Sequence, residues 1–412
     1  MKTSQRRLLI LLLFFFSGFS YLIFEIAWVR QATLTFGVSI YAYSAALTAY
    51  MGGMALGGFL IRKWADRVSS PLRTFAWLQL GLAGLGFLTP LFLEFTTGVY
   101  SSLAKSLPPN PTSLMILRLV LSIIPLALPA LCIGASFPLI GRAYTRQDGQ
   151  VGRDLGRLYA VHTLGSVSGC LLAATVLIRV FGLRETIGLA ALISLTAAIA
   201  ALGLEAAKIA NVTSPSAGGR RRKTFSKPPA ESQKPDILPT QPLSIRSLQF
   251  VLWAYAVSGF VSLAYEVVWA RLISLYTVGA VYSFSIMLVV YLSGLVIGSL
   301  VGSWSMRRWK ASLQAFGLLE MGVGLLAIGG LFIFNQLANL AMEDVFSQYS
   351  IGAEMAFEGV LSAITLLPVT ILIGALYPIV SSLYTSEQRQ TVGQKVSLLN
   401  ALNTTGSISD LC

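Results

Sequence analysis

Residues 17–30 read SGFSYLIFEIAWVR, and residues 258–271 read SGFVSLAYEVVWAR. Both stretches lie in apolar runs and keep glutamate, tryptophan and arginine in the same places, 241 residues apart. The same offset pairs Tyr50 with Tyr291. Shared apolar composition alone would not hold these polar residues in register. The sequence therefore predicts a duplicated unit whose two copies run parallel to each other.

The amino-acid composition indicates that this duplicated unit lies in a lipid bilayer. Of the 412 residues, 55% are apolar and 11% are charged, whereas soluble domains average about 25% charged residues. This excludes a soluble globular protein and a disordered one. Apolar runs of about 20 residues, enough to cross a bilayer, begin near Leu8, Ile40, Phe75, Leu114, Leu158, Thr186, Leu248, Tyr282, Leu313, Val360 and Val396. We predict an all-α polytopic membrane protein with two parallel repeats of about six transmembrane helices.

The duplication also sets the expected boundaries. Residues 1–208 form the first six-helix repeat, and 209–247 form a basic, proline-rich cytoplasmic linker with too little apolar content to pack. Residues 248–412 form the second repeat. Because Cys412 corresponds to Leu171, we expect this repeat to be incomplete, with about five helices.

The net charge of +13 has two explanations, nucleic-acid binding or positively charged cytoplasmic loops. Most of the 30 Lys and Arg residues fall on one side if the N-terminus is cytoplasmic. We therefore predict a multi-pass protein of the bacterial inner (cytoplasmic) membrane with a cytoplasmic N-terminus and no nucleic-acid partner. The apolar run after Arg7 is too long for a signal peptide, so we expect an uncleaved first helix.

Glu25 and Glu266 are the first candidates for a solute or proton site. A carboxylate within a membrane helix is costly and is by default a functional hypothesis. Arg30 and Arg271 follow five residues later, so structural ion pairs are the alternative. For Asp66 and Arg67, in the loop after the second span, we predict a structural or ion-pair role.

Four further residues are candidates for the same role. Glu320 lies in the middle of the ninth run, and its repeat partner is the neutral Gln79. A lone carboxylate of this kind suits a proton relay, but it could also remain protonated in the interior. His162, the only histidine, pairs with Asn403, which favours a hydrogen-bonded contact between helices.

Glycines and prolines predict how the helices pack. Gly53, Gly57 and their partners Gly294 and Gly298 have the small-xxx-small spacing of close helix contacts. Prolines in the fourth and tenth runs, including Pro125 and Pro368, should kink or interrupt those helices. The sequence contains no cofactor motif, no His/Cys cluster for a metal and no catalytic residue.

Three segments carry a resemblance to a known family: the SGF–E–W–R string at 17–30, the string WADR at 64–67, and GRLYA with TLG at 156–165. They resemble the bacterial fused major facilitator/spermidine synthase proteins. The resemblance implies a major-facilitator-like membrane domain. It also implies a soluble spermidine-synthase-like domain, which this chain does not contain, so the chain is expected not to be an enzyme.

Three functions follow as hypotheses. The first is a transporter of a small solute, such as a polyamine-like cation, held by Glu25, Glu266 and Glu320. The second is a membrane anchor for an aminopropyltransferase-like enzyme, and the third is a truncated, non-functional fragment. The expected partners are the lipid bilayer, a small cationic solute and a soluble enzyme domain.

Overall fold

The chain forms a bundle of long helices. The computed structural model describes residues 3–37, 40–106, 110–145, 151–213, 245–274, 280–306, 308–309, 311–342, 351–385 and 392–408. In the first repeat these residues form α1 (Thr3–Phe36), α2 (Ile40–Ile61), α3 (Pro71–Ser106), α4 (Pro111–Ser122 and Leu128–Tyr144), α5 (Val151–Leu172, ending with Ile178–Val180) and α6 (Leu183–Thr213). The second repeat contains α7 (Ile245–Ser274), α8 (Ala280–Ser305), α9 (Leu313–Met342), α10 (Ile351–Thr385) and α11 (Val392–Ile408).

The helices have the length and surface of membrane spans. Within the described ranges, 10 helices are long and apolar enough to cross a membrane, and α11 has 17 residues. Large apolar side chains such as Phe95 and Ile328 are about 70% exposed on the outside of the bundle (73% and 70%). Lipid is the solvent that tolerates such a surface. The prediction of an all-α polytopic membrane protein is confirmed.

The helices extend into both ends of the predicted linker 209–247. α6 is helical through Thr213, and α7 begins at Ile245. The rest of the linker, residues 214–244, lies outside the described residues, as does the segment 409–412.

Close helix contacts repeat between the two halves. In the first repeat, Gly57 of α2 faces the backbone of Leu131 in α4, with no room for a side chain. In the second repeat, Gly298 of α8 faces Ile371 of α10 in the same way. α1 and α5 meet through Gly18 and the backbone of His162. The glycine spacing therefore predicted the closest backbone contacts.

Replacing Gly57 by leucine should destabilise the bundle by roughly 3 kcal/mol, because overpacking a closed contact costs this order of free energy. Thermal unfolding in detergent measures the effect as a lower Tm. Gly84→Leu is the matched control, since nothing lies within 4 Å of a side chain added at Gly84 in α3. Equal Tm values for the two variants would contradict the packing argument.

The predicted helix interruptions occur in one repeat only. α4 contains a π-helical stretch at Ile123–Ala127 that includes Pro125. Thr89 compensates by donating a hydrogen bond to the Pro125 carbonyl at 3.4 Å. α10 contains Pro368 and Pro378 and is helical without an interruption. α5 has a second π-helical stretch, at Ala173–Leu177.

The two repeats meet through a pair of symmetric contacts. The Ser299 hydroxyl of α8 donates to the Gly156 carbonyl of α5 at 2.7 Å, and the Ser397 hydroxyl of α11 donates to the Gly58 carbonyl of α2. Gly58 and Ser299 are repeat partners, and so are Gly156 and Ser397. A pseudo-two-fold axis therefore runs between the halves, along the bundle.

Both contacts lie toward one end of the bundle, which we call the basic end. It is the end at which α1 begins and where the connections α2–α3, α4–α5, α8–α9 and α10–α11 lie.

Candidate functional site

Two glutamates, one from each repeat, lie in the interior of the bundle. Glu25 is on α1, and Glu266 occupies the matching position on α7. Their neighbours Leu22 and Leu263 belong to a single hydrophobic core built from both repeats. The two carboxylates are close enough to interact electrostatically, and the buried Cys170 of α5 interacts with both. Repeat-related acidic groups therefore converge on the interface between the repeats.

Tyrosines surround this carboxylate pair but use their hydroxyls differently. The Tyr50 hydroxyl of α2 donates a hydrogen bond to the Glu25 carboxylate. Its repeat partner Tyr291 instead donates to the Ser262 carbonyl at 3.0 Å and contacts the Ser262 hydroxyl at 2.5 Å. Tyr291 still interacts electrostatically with Glu266, so each carboxylate has a tyrosine of its own repeat beside it.

The two tryptophans of the repeated motif are buried against other aromatic side chains. Trp28 is 1% exposed; it stacks on Phe24 and lies edge-on to Tyr50, with ring centroids 6.2 Å apart. Trp269 is fully buried and lies edge-on to Phe334 at 5.0 Å. In the first repeat the tryptophan therefore packs against the residue that holds Glu25.

Arg30 and Arg271 lie on the exposed surface of their helices. Among the described side chains, the ion pairs are Arg7–Asp154, Arg142–Asp66 and Arg184–Glu94, and they include neither glutamate of the repeated motif. The same part of the chain has no group of three or more His, Cys, Asp or Glu side chains that could hold a metal.

Gln79 lies inside the first repeat and has no exposed surface. Its Nε2 donates to the Ser17 hydroxyl at 2.6 Å and to the Tyr21 hydroxyl at 3.0 Å. α6 joins the same core, because the Ser194 hydroxyl donates a hydrogen bond to the Ser20 hydroxyl of α1 at 3.0 Å. Gln79 therefore joins α3 to α1 within one repeat.

Glu320 occupies the equivalent position in the second repeat. The Ser258 hydroxyl, partner of Ser17, donates to its carboxylate, whereas its Oε1 is buried without a hydrogen-bond partner. Glu320 also lines a cavity of about 510 Å³ between α7 and α9, together with Arg246 and Phe316. The contact between α3 and α1 in the first repeat thus recurs between α9 and α7 in the second. In the second repeat, however, one carboxylate oxygen of Glu320 has no hydrogen-bond partner.

His162 and Asn403 both lie at crossings between the first and fifth helices of their repeats. Gly18 packs on the backbone of His162, and Gly259 packs on the backbone of Asn403. The imidazole of His162 lies against Phe14, with ring centroids 4.3 Å apart. Both residues therefore lie where the first and fifth helices of their repeat pack together.

His162 also belongs to a cluster of aromatic side chains from both repeats, which we call the aromatic block. Tyr159 of α5 stacks on Tyr377 of α10 with centroids 4.7 Å apart and planes 23° apart. Phe137 of α4 lies edge-on to Tyr377 at 5.7 Å. The members are Phe14, Phe137, Tyr159, His162, Tyr255 and Tyr377.

A contact that we call the latch joins the repeats at the basic end. Asp66, in the α2–α3 connection, accepts hydrogen bonds from the backbone N–H groups of Gly393 at 2.9 Å and Gln394 at 2.8 Å. These are the first residues of α11, so the carboxylate caps that helix and complements its dipole. Arg142 holds the connection through the Ala65 and Val68 carbonyls, at 2.8 and 2.7 Å.

Asp66 thus joins the α2–α3 connection to α11, and Arg142 lies 3.9 Å from its carboxylate. Arg67 is exposed at the same end. The sequence reasoning missed that Asp66 contacts the other repeat. It also missed the aromatic block, although Phe14 with Tyr255 and Phe137 with Tyr377 keep an aromatic residue at matching positions of the repeat.

The chain was compared with known proteins. Residues 9–409 match the family described as the Major Facilitator Superfamily. No curated protein matches the chain.

Solved structures of transporters share its fold. A bacterial homologue of the iron transporter ferroportin, in an outward-facing state, is 14% identical over 98% of this chain and 91% of that chain, with a TM-score of 0.58. The E. coli fucose:proton symporter is 14% identical over 97% and 88%, with a TM-score of 0.52. A bacterial homologue of the human lysosomal transporter Spinster, in an inward-facing state, is 14% identical over 100% and 82%, with a TM-score of 0.50.

Proposed function

Because the chain belongs to the Major Facilitator Superfamily, a family of membrane transporters, we propose that it moves a small cationic solute of the polyamine-like class between its two repeats. The observation that carries the proposal is the pairing of Glu25 and Glu266. The two carboxylates come from matching positions, their neighbours Leu22 and Leu263 belong to one core shared by the repeats, and the carboxylates lie within electrostatic reach of each other.

The chemistry of this pair favours a positive partner. Two carboxylates at membrane depth repel each other and are poorly solvated, so a cation or a proton between them lowers the free energy. The three ion pairs among the described side chains leave both glutamates available for a solute.

The transport path would run along the pseudo-two-fold axis, with access alternating between the two ends as the repeats rock against each other. We propose that the basic end faces the cytoplasm of a bacterial inner membrane, since its loops contain most of the Lys and Arg residues. On this orientation the latch closes the cytoplasmic side.

Uptake into proteoliposomes tests the proposal. The purified protein should take up a radiolabelled diamine and should leave a neutral sugar and a dicarboxylate of similar size outside. Excess unlabelled diamine should compete with the labelled one, and excess sugar should not. Uptake of the sugar or the dicarboxylate in place of the diamine would overturn the cationic assignment.

A second candidate function rests on the motifs shared with the fused spermidine synthase proteins. In this case the bundle would anchor a soluble aminopropyltransferase-like enzyme, and the purified chain would move none of the three solutes. Co-purification of such an enzyme with the tagged chain from the native membrane, together with no uptake, would favour the anchor.

A further inference from the structure

We propose that the aromatic block is a second binding site on the transport path, one that selects organic ammonium groups over inorganic cations. The proposal rests on the function proposed above and specifies its substrate class. It starts from six aromatic side chains from both repeats that cluster near the boundary between them.

The block is built by the duplication, as the carboxylate pair is. Phe14 and Tyr255 are repeat partners, and so are Phe137 and Tyr377. Tyr159 completes it by stacking on Tyr377 across the boundary between the halves. Four of the six members therefore form two repeat-related pairs, and the cluster spans the boundary between the halves.

Its depth along the axis follows from helix geometry. Phe14 precedes Glu25 by 11 residues, and Tyr255 precedes Glu266 by the same number. At 1.5 Å per residue, the block lies about 16 Å from the carboxylates, toward the basic end. A solute leaving the carboxylates for that end therefore meets the rings next.

The chemistry of the rings determines what they accept. The faces of Tyr and Phe attract an ammonium group electrostatically, most strongly when water is excluded. A small metal ion would have to exchange its water shell for ligands, and the described side chains contain no cluster of His, Cys, Asp or Glu suited to that. An alkylammonium ion has a lower dehydration cost than a small metal ion, and its carbon atoms pack against the rings. The path therefore selects an organic amine.

Neighbouring side chains hold the rings of the aromatic block in fixed orientations. Tyr377 is 4% exposed, and Phe137 fixes its ring from the edge at 5.7 Å. Tyr159 also packs against the core cluster that contains Trp269 and Tyr291, so aromatic side chains continue from the block toward the glutamate of α7.

The test compares two substitutions at Tyr377 in the full chain. Tetramethylammonium, which cannot donate hydrogen bonds, serves as a competitor of diamine uptake. Tyr377→Leu should raise its inhibition constant about tenfold, the size expected for one lost cation–π contact. Tyr377→Phe keeps the ring and should stay within about twofold of the unchanged protein. Inhibition by Mn²⁺ should be unchanged in both variants.

Phe137→Leu is the second variant, used if Tyr377→Leu does not give a monodisperse protein. An unchanged inhibition constant for tetramethylammonium in the leucine variants would overturn the inference. So would an equal weakening of tetramethylammonium and Mn²⁺, because it would indicate a loss of packing rather than of a binding site. In either case diamine uptake that still depends on Glu25 would leave the proposed function standing, whereas no diamine uptake by the unchanged protein would remove both.

Discussion

Replacing Glu25 by glutamine is expected to lower diamine uptake by more than about 100-fold. Removing one charged partner of a buried electrostatic contact costs roughly 3–5 kcal/mol, and each 1.4 kcal/mol is a factor of ten. Glutamine has the same shape and can still accept the hydrogen bond from Tyr50. The loss would therefore report the charge. Initial rates over a range of diamine concentrations measure it.

Glu266→Gln should have a similar effect, and the double variant should be little worse than either single one. The two carboxylates act on the same cation, so their contributions are not additive. If the double variant lowers diamine uptake by the product of the two single fold-decreases, the two glutamates have independent roles.

Glu320→Gln is the matched control. It gives the second repeat the side chain that Gln79 supplies in the first, where the amide donates to Ser17 and Tyr21. Because Glu320 packs on α7 and lines the cavity between α7 and α9, we expect its loss to change uptake by less than about threefold, as for residues outside a reacting site. If Glu320→Gln abolishes uptake and Glu25→Gln does not, the solute path lies elsewhere than proposed here.

The sequence predicted the architecture because the duplication and the membrane both leave simple patterns. Apolar runs, the 241-residue offset and the paired glycines are one-dimensional signals. The close contacts of Gly57 and Gly298 follow directly from them. The pairing of Glu25 with Glu266 was also implicit, since parallel repeats place matching residues around a common axis.

Contacts between the repeats could not be predicted in the same way. Nothing in the local sequence around Asp66 indicates that it caps a helix more than 300 residues later, because the partner groups are backbone N–H groups, which every residue except proline has. Helix breaks are also ambiguous. Pro125 coincides with a π-helical stretch, whereas Pro368 and Pro378 lie in an unbroken helix, and only the surrounding packing distinguishes these cases.

Replacing Asp66 by alanine is expected to open the basic end of the bundle. The carboxylate accepts two backbone hydrogen bonds at the first turn of α11. A helix cap with a favourable charge contributes about 2 kcal/mol, so its loss should shift the closed-to-open equilibrium about 30-fold toward the open state. Asn supplies one acceptor without the charge, so Asp66→Asn should have a smaller effect.

Spin labels at two exposed positions measure this shift. Arg67 lies beside the latch in the first repeat, and Trp309, which is 77% exposed, lies at the same end in the second repeat. Cys132 and Cys412 are replaced by serine and the buried Cys170 by alanine, so that only the introduced sites react. The longer-distance population should grow in the order unchanged protein, Asp66→Asn, Asp66→Ala.

The control is Glu94→Ala, which removes the exposed ion pair with Arg184. Such pairs contribute little, so the distance distribution at the basic end should not change. The repeat partner of Asp66 is Arg307, whose guanidinium group has donors only and cannot accept hydrogen bonds from backbone N–H groups. The carboxylate latch therefore belongs to one side of the pseudo-two-fold axis, and we expect opening to begin between the α2–α3 connection and α11. Equal distance distributions for Asp66→Ala and the unchanged protein would show that packing of the glycine–serine contacts alone holds the basic end closed.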